Sequence, residues 1–269
     1  MPELPVVEVF RRHIDDTCKG RVIEEVLIHD PKMLAGISGD AFSARTKGAR
    51  ILSAERHGKH LLIRLAPAGW ITMHFGLTGS LRHLDSAEAE PPYTRIRFGF
   101  ADGHHLAYVN LRRIGAVGLV DAADRFISAE RLGPDALDPR FDLAAFERVL
   151  AGRKRDLKSV LMDQALIAGI GNIYSDEILF QAGIHPKARA DRLDADIRRR
   201  LFQQIKHVLK TAVERGAGAE LAADALPRLF LLPQRKKGGR CPRCGSDIRT
   251  IKFSGRTAYY CPHCQAEAR

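Results

Sequence analysis

The sequence predicts an α+β chain of several domains: a β-rich first half opened by a helix, a helical block, and a small four-cysteine hairpin at the end. Three observations carry this. Short alternating apolar segments broken by turn signals fill roughly the first 130 residues. After Gly133-Pro134 the apolar residues recur at helical spacing instead. Two Cys-x-x-Cys pairs, Cys241/Cys244 and Cys261/Cys264, then close the chain. At 269 residues with 45% hydrophobic content, the chain is long enough for more than one packed core.

The first element is a helix over Val6–Lys19, with Val6, Val9, Phe10 and Ile14 on one face and Gly20 as its stop. Strand-like segments follow at Arg21–His29, Ile51–Ser53, His60–Leu65 and Trp70–Phe75. Arg95–Phe100 places Ile96, Phe98 and Phe100 on one face, and Asp102-Gly103 turns the chain into Leu106–Val109. So many short strands with turns between them predict a sandwich or a barrel. Beyond Gly133-Pro134, helices are expected over Leu143–Ala151, Leu157–Gln164, Ile173–Gln181 and Asp194–Arg215. The last is the best patterned, with Ile197, Leu201, Ile205, Val208 and Ala212 in one stripe. Gly169-Ile170-Gly171 before the third helix is a tight turn with free N–H groups, suited to an anion but equally to a structural bend. Residues 216–240 are Gly- and Ala-rich and then basic, and read as a flexible connection.

The cysteine module is the strongest single signal. Two knuckles sixteen residues apart fit a tetrahedral four-thiolate site for one structural Zn²⁺, with strands near Ile248–Phe253 and Arg256–Tyr260 between them. Protein fills every ligand place, so such a metal holds the fold and performs no chemistry. Cys18, alone in the first helix, is expected to be a buried thiol.

A formal charge of +11 points to a polyanionic partner, most simply nucleic acid. From Arg235 onward there are nine Lys/Arg against two Asp/Glu, which suits the terminal hairpin to a phosphate backbone. No run of 18 apolar residues and no secretory leader are evident, so a cytoplasmic protein is expected.

The start, Met1-Pro2-Glu3-Leu4-Pro5, has two readings. Pro and Glu suit the first turn of any helix. Alternatively, removal of Met1 leaves Pro2 with a secondary amine that can attack an aldehydic carbon, and Glu3 beside it can donate a proton. Terminal amines have reference pKa values of about 7.7–8.0, so a good share is neutral near working pH.

Taken with the cysteine hairpin, several segments give the chain a family resemblance. They are Pro2–Pro5, His57-Gly58-Lys59-His60-Leu61, His74–Leu81, Arg112-Arg113-Ile114-Gly115, Gly169–Tyr174, Ala182–Pro186 and Gly255-Arg256. Together they resemble the bacterial formamidopyrimidine-DNA glycosylases, sister to endonuclease VIII, along essentially the whole chain. The resemblance implies an N-terminal β-sandwich domain over 1–131, a helix–two-turns–helix domain over 132–233 and a zinc finger over 234–269. It implies a monomer that binds damaged double-stranded DNA and is associated with the nucleoid through it. By resemblance, Pro2 attacks C1′ of an extruded nucleotide, Glu3 protonates the opening sugar, and Lys59 and Arg256 serve the β- and δ-eliminations. DNA contacts carry over to Tyr93, Arg112, Arg153, Lys158, Asn172 and Arg256, and Leu77, Arg112 and Ile114 take the places of side chains that fill the vacated stack. From their residue types alone, Lys59 reads as a surface charge and Leu77 and Ile114 as core.

The chain departs from the family pattern at Val6, where a Glu is usual, at the apolar wedges Leu77 and Ile114, at Tyr93 in place of a His, and at Asn110-Leu111 in place of Asp-Pro. The expected activity is that of a bifunctional glycosylase and abasic-site lyase acting on oxidised or ring-opened purines. The alternatives are the same chemistry with another lesion choice (oxidised pyrimidines, abasic sites or bulky adducts) and a zinc-containing DNA-binding protein without turnover.

Overall fold

The computed structural model describes residues 2–216, 226–253 and 255–266. The chain divides into two compact units, one of Met1–Pro2 and Val6–Glu130, the other of Glu3–Pro5 and Arg131–Arg269.

The first unit is a β-sandwich. After α1 (Leu4–Thr17), its strands are β1 (Ile23–Ile28), β2 (Leu34–Ala35), β3 (Arg50–His57), β4 (His60–Ala66), β5 (Gly69–His74), β6 (Gly79–Leu84), β7 (Thr94–Phe100), β8 (His105–Asn110) and β9 (Ala116–Val120). A short α2 (Gly39–Thr46) precedes β3, and α3 (Ala123–Ala129) follows β9. Four strands form a sheet in the order β1-β7-β8-β6, and five form a second in the order β2-β9-β5-β4-β3. Their inner faces share one core: Ile23, Ile96, Phe98, Leu106 and Tyr108 from the first sheet, and Ile51, Leu61, Ile63, Ile71, Met73 and Val117 from the second. Period-two alternation, as in the buried Thr94, Ile96, Phe98 and Phe100 of β7, is what closes the sandwich. The face of α1 that carries Val6, Val7, Phe10 and Ile14 joins the same core, and Cys18 is buried there as expected.

The second unit is helical. It contains α4 (Leu143–Leu150), α5 (Leu157–Leu161), α6 (Asn172–Ala182), α7 (Ala195–Glu214) and the hairpin β10 (Arg249–Phe253)–β11 (Arg256–Tyr260). Asp142 and Asp194 cap α4 and α7 by accepting from the N–H groups of Ala145 and Ile197. Of the predicted stripe, Leu201, Ile205, Val208 and Ala212 are fully buried and Ile197 is half-buried. Leu4 belongs to this core, and its N–H donates to the Gly169 carbonyl at 3.1 Å.

The connection expected to be flexible over 216–240 is corrected in part. Residues 217–225 lie outside the described residues. Beyond them Phe230 and Leu231 are buried, and the fully buried carboxylate of Glu177 accepts from the N–H groups of Leu231 and Leu232. A bulky apolar run packs as core here even though its flanks look like linker. No helix among the described residues is long and apolar enough to cross a membrane.

Candidate active site and nucleic-acid interface

In the first unit, Lys59 stands in the two-residue turn of the β3–β4 hairpin, where His57 pairs with His60 and Gly58 takes φ +58°. It is half-buried. On β4 the next ring, His60, lies 5.0 Å from His74 of β5 and 5.3 Å from Phe126. Burial, with His74, His57 and Lys59 nearby, drops His60 to about 3 and keeps it neutral beside that lysine.

The expected wedge residues come together on two adjoining loops. A Cβ on Gly76 would lie 2.6 Å from the Ile114 carbonyl oxygen, so glycine lets the turn carrying Leu77 press its backbone against the loop carrying Ile114. The Arg112 N–H donates to the Thr78 hydroxyl at 3.1 Å, joining the same two loops. Arg112 and Ile114 are exposed, Ile114 by 49%, and Leu77 is half-buried. Core packing is therefore the wrong reading for Ile114. Tyr93 is 53% exposed with φ +67°, and Arg113 takes φ +55°. Left-handed backbone at such residues stores about 1–3 kcal/mol each and concentrates at functional loops. Asn110 sits fully buried beneath them, its amide donating to the Phe75 carbonyl and the Tyr108 hydroxyl. An aspartate could supply neither donation, which accounts for the amide at this departure from the family pattern.

In the second unit, Glu3 is fully buried, and its carboxylate occupies the N-terminus of α6. Oε2 accepts from the N–H of Gly171 at 2.8 Å and of Tyr174 at 3.2 Å, while Oε1 accepts from that of Ile173 at 2.8 Å. The free N–H groups of the glycine turn thus hold a side-chain carboxyl group, one supplied from 168 residues away in the chain. A Cβ on Gly171 would coincide with this carboxylate.

Lys158, expected to contact DNA, is a correction: it is fully buried. Its Nζ donates to Asp176 Oδ1 at 2.6 Å, the Ser175 hydroxyl at 2.8 Å and the Asn172 carbonyl at 3.2 Å. Burial pushes this ammonium below the ordinary lysine range and Asp176 above the ordinary carboxylate range, each opposed by the other's charge. An ammonium enclosed in this way cannot reach a phosphate. The other oxygen of Asp176 accepts from Arg235 Nε at 2.8 Å. Asn172 is half-buried, with its amide donating to the Thr257 carbonyl at 3.1 Å. Arg153 is half-buried, its Nε donating to the Val149 carbonyl at 2.6 Å, and Arg256 is exposed at the start of β11. Arg235 went unnoticed in the sequence because it looked like one cation of a basic run.

The four cysteine sulfurs all lie within 4.8 Å of one another, with Cys241–Cys264 at 3.7 Å and Cys244–Cys261 at 3.5 Å. A zinc ion with bonds of about 2.3 Å to four tetrahedral sulfurs needs edges of about 3.8 Å. The residues fit one structural zinc.

Family models cover most of the chain in three blocks. The formamidopyrimidine-DNA glycosylase N-terminal domain matches residues 1–117, the H2TH domain of the same enzymes residues 132–222, and the zinc finger found in these enzymes and in an isoleucyl-tRNA synthetase group residues 238–266. A formamidopyrimidine-DNA glycosylase of Heliobacterium modesticaldum is 36% identical over 98% of this chain and 100% of its own length. That of Laribacter hongkongensis is 35% identical over the same shares. The solved Lactococcus lactis enzyme, non-covalently bound to DNA containing an abasic site, superposes with a TM-score of 0.88 at 28% identity, covering 98% of this chain and 100% of that one. With matching models for each block and relatives above 30% identity end to end, the chain belongs to the formamidopyrimidine-DNA glycosylase family.

Proposed function

We propose that this enzyme, a DNA glycosylase of base excision repair, releases damaged bases and then opens the strand through a Schiff base on Pro2. Met1 is removed, and the freed secondary amine attacks C1′ of a nucleotide extruded from the duplex; base chemistry inside a stack demands that extrusion. The C1′–N bond breaks, and the base leaves with its electron pair and takes a proton from water. Glu3 takes the proton that the attacking amine loses and passes it to the sugar ring oxygen, and the ring opens to an iminium ion. The iminium acidifies C2′, Lys59 serves the loss of that proton, and the 3′ phosphate departs. Arg256 serves the second elimination, which expels the 5′ phosphate, and water then releases the enzyme. Arg112, Arg153 and Asn172 hold the phosphate backbone, with Tyr93 beside it, and Leu77, Arg112 and Ile114 occupy the emptied stack. The enzyme acts as a monomer on double-stranded DNA in the cytoplasm, and, with Val6 where the family usually has Glu and only a short segment between Gly216 and Cys241, ring-opened purines and abasic sites are better substrates than 8-oxoguanine.

The observation that carries this reading is the Glu3 carboxylate. Three N–H donors fix it, and the backbone of Glu3 is joined to Pro2 by a peptide bond, so the nucleophile's neighbour is held in place. A protein that only bound DNA needs no such arrangement at its first residues.

Glu3→Gln separates the two chemical stages. Release of a ring-opened purine should fall by at least about 100-fold, the usual worth of a positioned acid. Nicking at a preformed abasic site should stay within a few-fold of wild type, because that aldehyde is already open. Single-turnover assays on the two duplexes read both; equal losses on both would refute the role of Glu3.

A further inference from the structure

We propose that Asp176 and Arg235 are positioning residues for Arg256, and through it for the second elimination. This rests on the role given to Arg256 above.

Arg256 is exposed, so its place is set by the strand that carries it. That strand is anchored to α6 by backbone atoms on either side of Ala258. The Thr257 carbonyl accepts from the Asn172 amide at 3.1 Å and from Arg235 Nη2 at 3.5 Å. The Tyr259 N–H donates to Asp176 Oδ2 at 3.2 Å. Arg235 completes the clamp: its Nε holds the same Oδ2 at 2.8 Å, its Nη2 reaches the Asn172 carbonyl at 3.4 Å, and its guanidinium lies 4.7 Å from the centre of the Tyr259 ring. Asn172 and Asp176 stand one turn apart on α6, so both face β11. The first turn of that helix is also where Glu3 is held. One buried ion cluster therefore sets the register between the helix end that fixes Glu3 and the strand that presents Arg256.

Asp176 has charge on both sides, Lys158 on Oδ1 and Arg235 on Oδ2. Without Arg235 the aspartate keeps its lysine and the Tyr259 N–H, and the Thr257 carbonyl keeps the Asn172 amide, but the guanidinium that ties these two anchors to each other is gone. The strand stays paired with β10 and shifts against α6. A displacement of the order of 1 Å costs about 100-fold in a step that depends on alignment. The first elimination does not use Arg256 and is spared.

The test uses zinc-loaded, full-length protein on an abasic-site duplex and measures 3′ ends bearing the unsaturated aldehyde against 3′-phosphate ends. In Arg235→Ala, zinc content and the first cleavage should stay near wild type while the 3′-phosphate fraction falls about tenfold or more. A wild-type 3′-phosphate fraction at full zinc content overturns the proposal. Should Arg235→Ala shed zinc, Arg235→Gln, which keeps most of the stem, is judged by the same criterion; loss of zinc from both overturns it too, since Arg235 would then hold the finger's fold instead of Arg256's place. Arg256→Ala is the control. If it keeps 3′-phosphate product, the role of Arg256 itself falls; if it loses that product while the Arg235 variants do not, only this inference falls.

Discussion

At the scale of single residues, the proposed chemistry depends on how closely the chain approaches itself at Gly171. Its missing Cβ is the space the Glu3 carboxylate fills, so Gly171→Ala displaces the acid without altering any titrating group. Base release should fall by about 100-fold, the cost of a misplacement of around 1 Å. Thermal stability should fall modestly, and activity should not return with substrate concentration. Wild-type single-turnover rates in this variant would show that the Glu3 pocket does not govern the step. Lys158 illustrates a residue the sequence could not place. A lysine in a basic region reads as a surface cation, and its partner Asp176 lies 18 positions further along, with Arg235 on that carboxylate's other oxygen 59 positions beyond it, where spacing carries no signal. The four cysteines were legible because their chemistry is encoded in residue type and short spacing, whereas Pro2 and Glu3 suit any helix start by residue type and only the family resemblance singles them out.

Among the elements, the β3–β4 hairpin carries its own pH dependence. His60 titrates near 6.5 when unfolded and at about 3 when folded, so its folded pKa is depressed. Stability is complete above about pH 6.5 and is lost as pH falls, by about 2 kcal/mol at pH 5. Glu177 in the second unit has the opposite sense. Burial raises it to about 7, so its contribution is full below about pH 4.5 and is lost as pH rises through 7. Hydrogen exchange at pH 7 and pH 5 should show β4 losing protection on acidification, and His60→Phe should flatten that response. An unchanged acid response in the variant would place its origin elsewhere. Sequence periodicity located α1, α4 and α7, which are amphipathic, and also α5, shorter than expected at Leu157–Leu161, and α6, which is buried on nearly every side. It missed α2, eight residues with little apolar bias, and α3, whose Ala122 cap makes no side-chain bond. β9 was hidden because Ala116-Val117-Gly118-Leu119-Val120 follows another glycine and looks like loop; Gly118 is there because the Thr72 hydroxyl of β5 leaves little space for a side chain. The cysteine hairpin was legible almost to the residue.

For the molecule as a whole, the charge of +11 makes DNA affinity a matter of counterion release. A phosphate contact and a buried cation then behave differently. Arg153→Gln should reduce the slope of log affinity against log salt by about one. Lys158→Met should instead lower stability, because it leaves Asp176 buried with one partner fewer, and should leave the slope unchanged. A reduced slope in Lys158→Met with normal stability would contradict the burial seen here. The central claim remains that the first residue of the mature chain is the nucleophile. It is tested most directly by reducing the enzyme on abasic-site DNA with borohydride and mapping the adduct by mass spectrometry. The account predicts that the DNA remnant sits on Pro2 and that a retained or extended N-terminus, which turns the amine into an amide, abolishes trapping. A remnant on Lys59 or another lysine, with Pro2 unmodified, would contradict it.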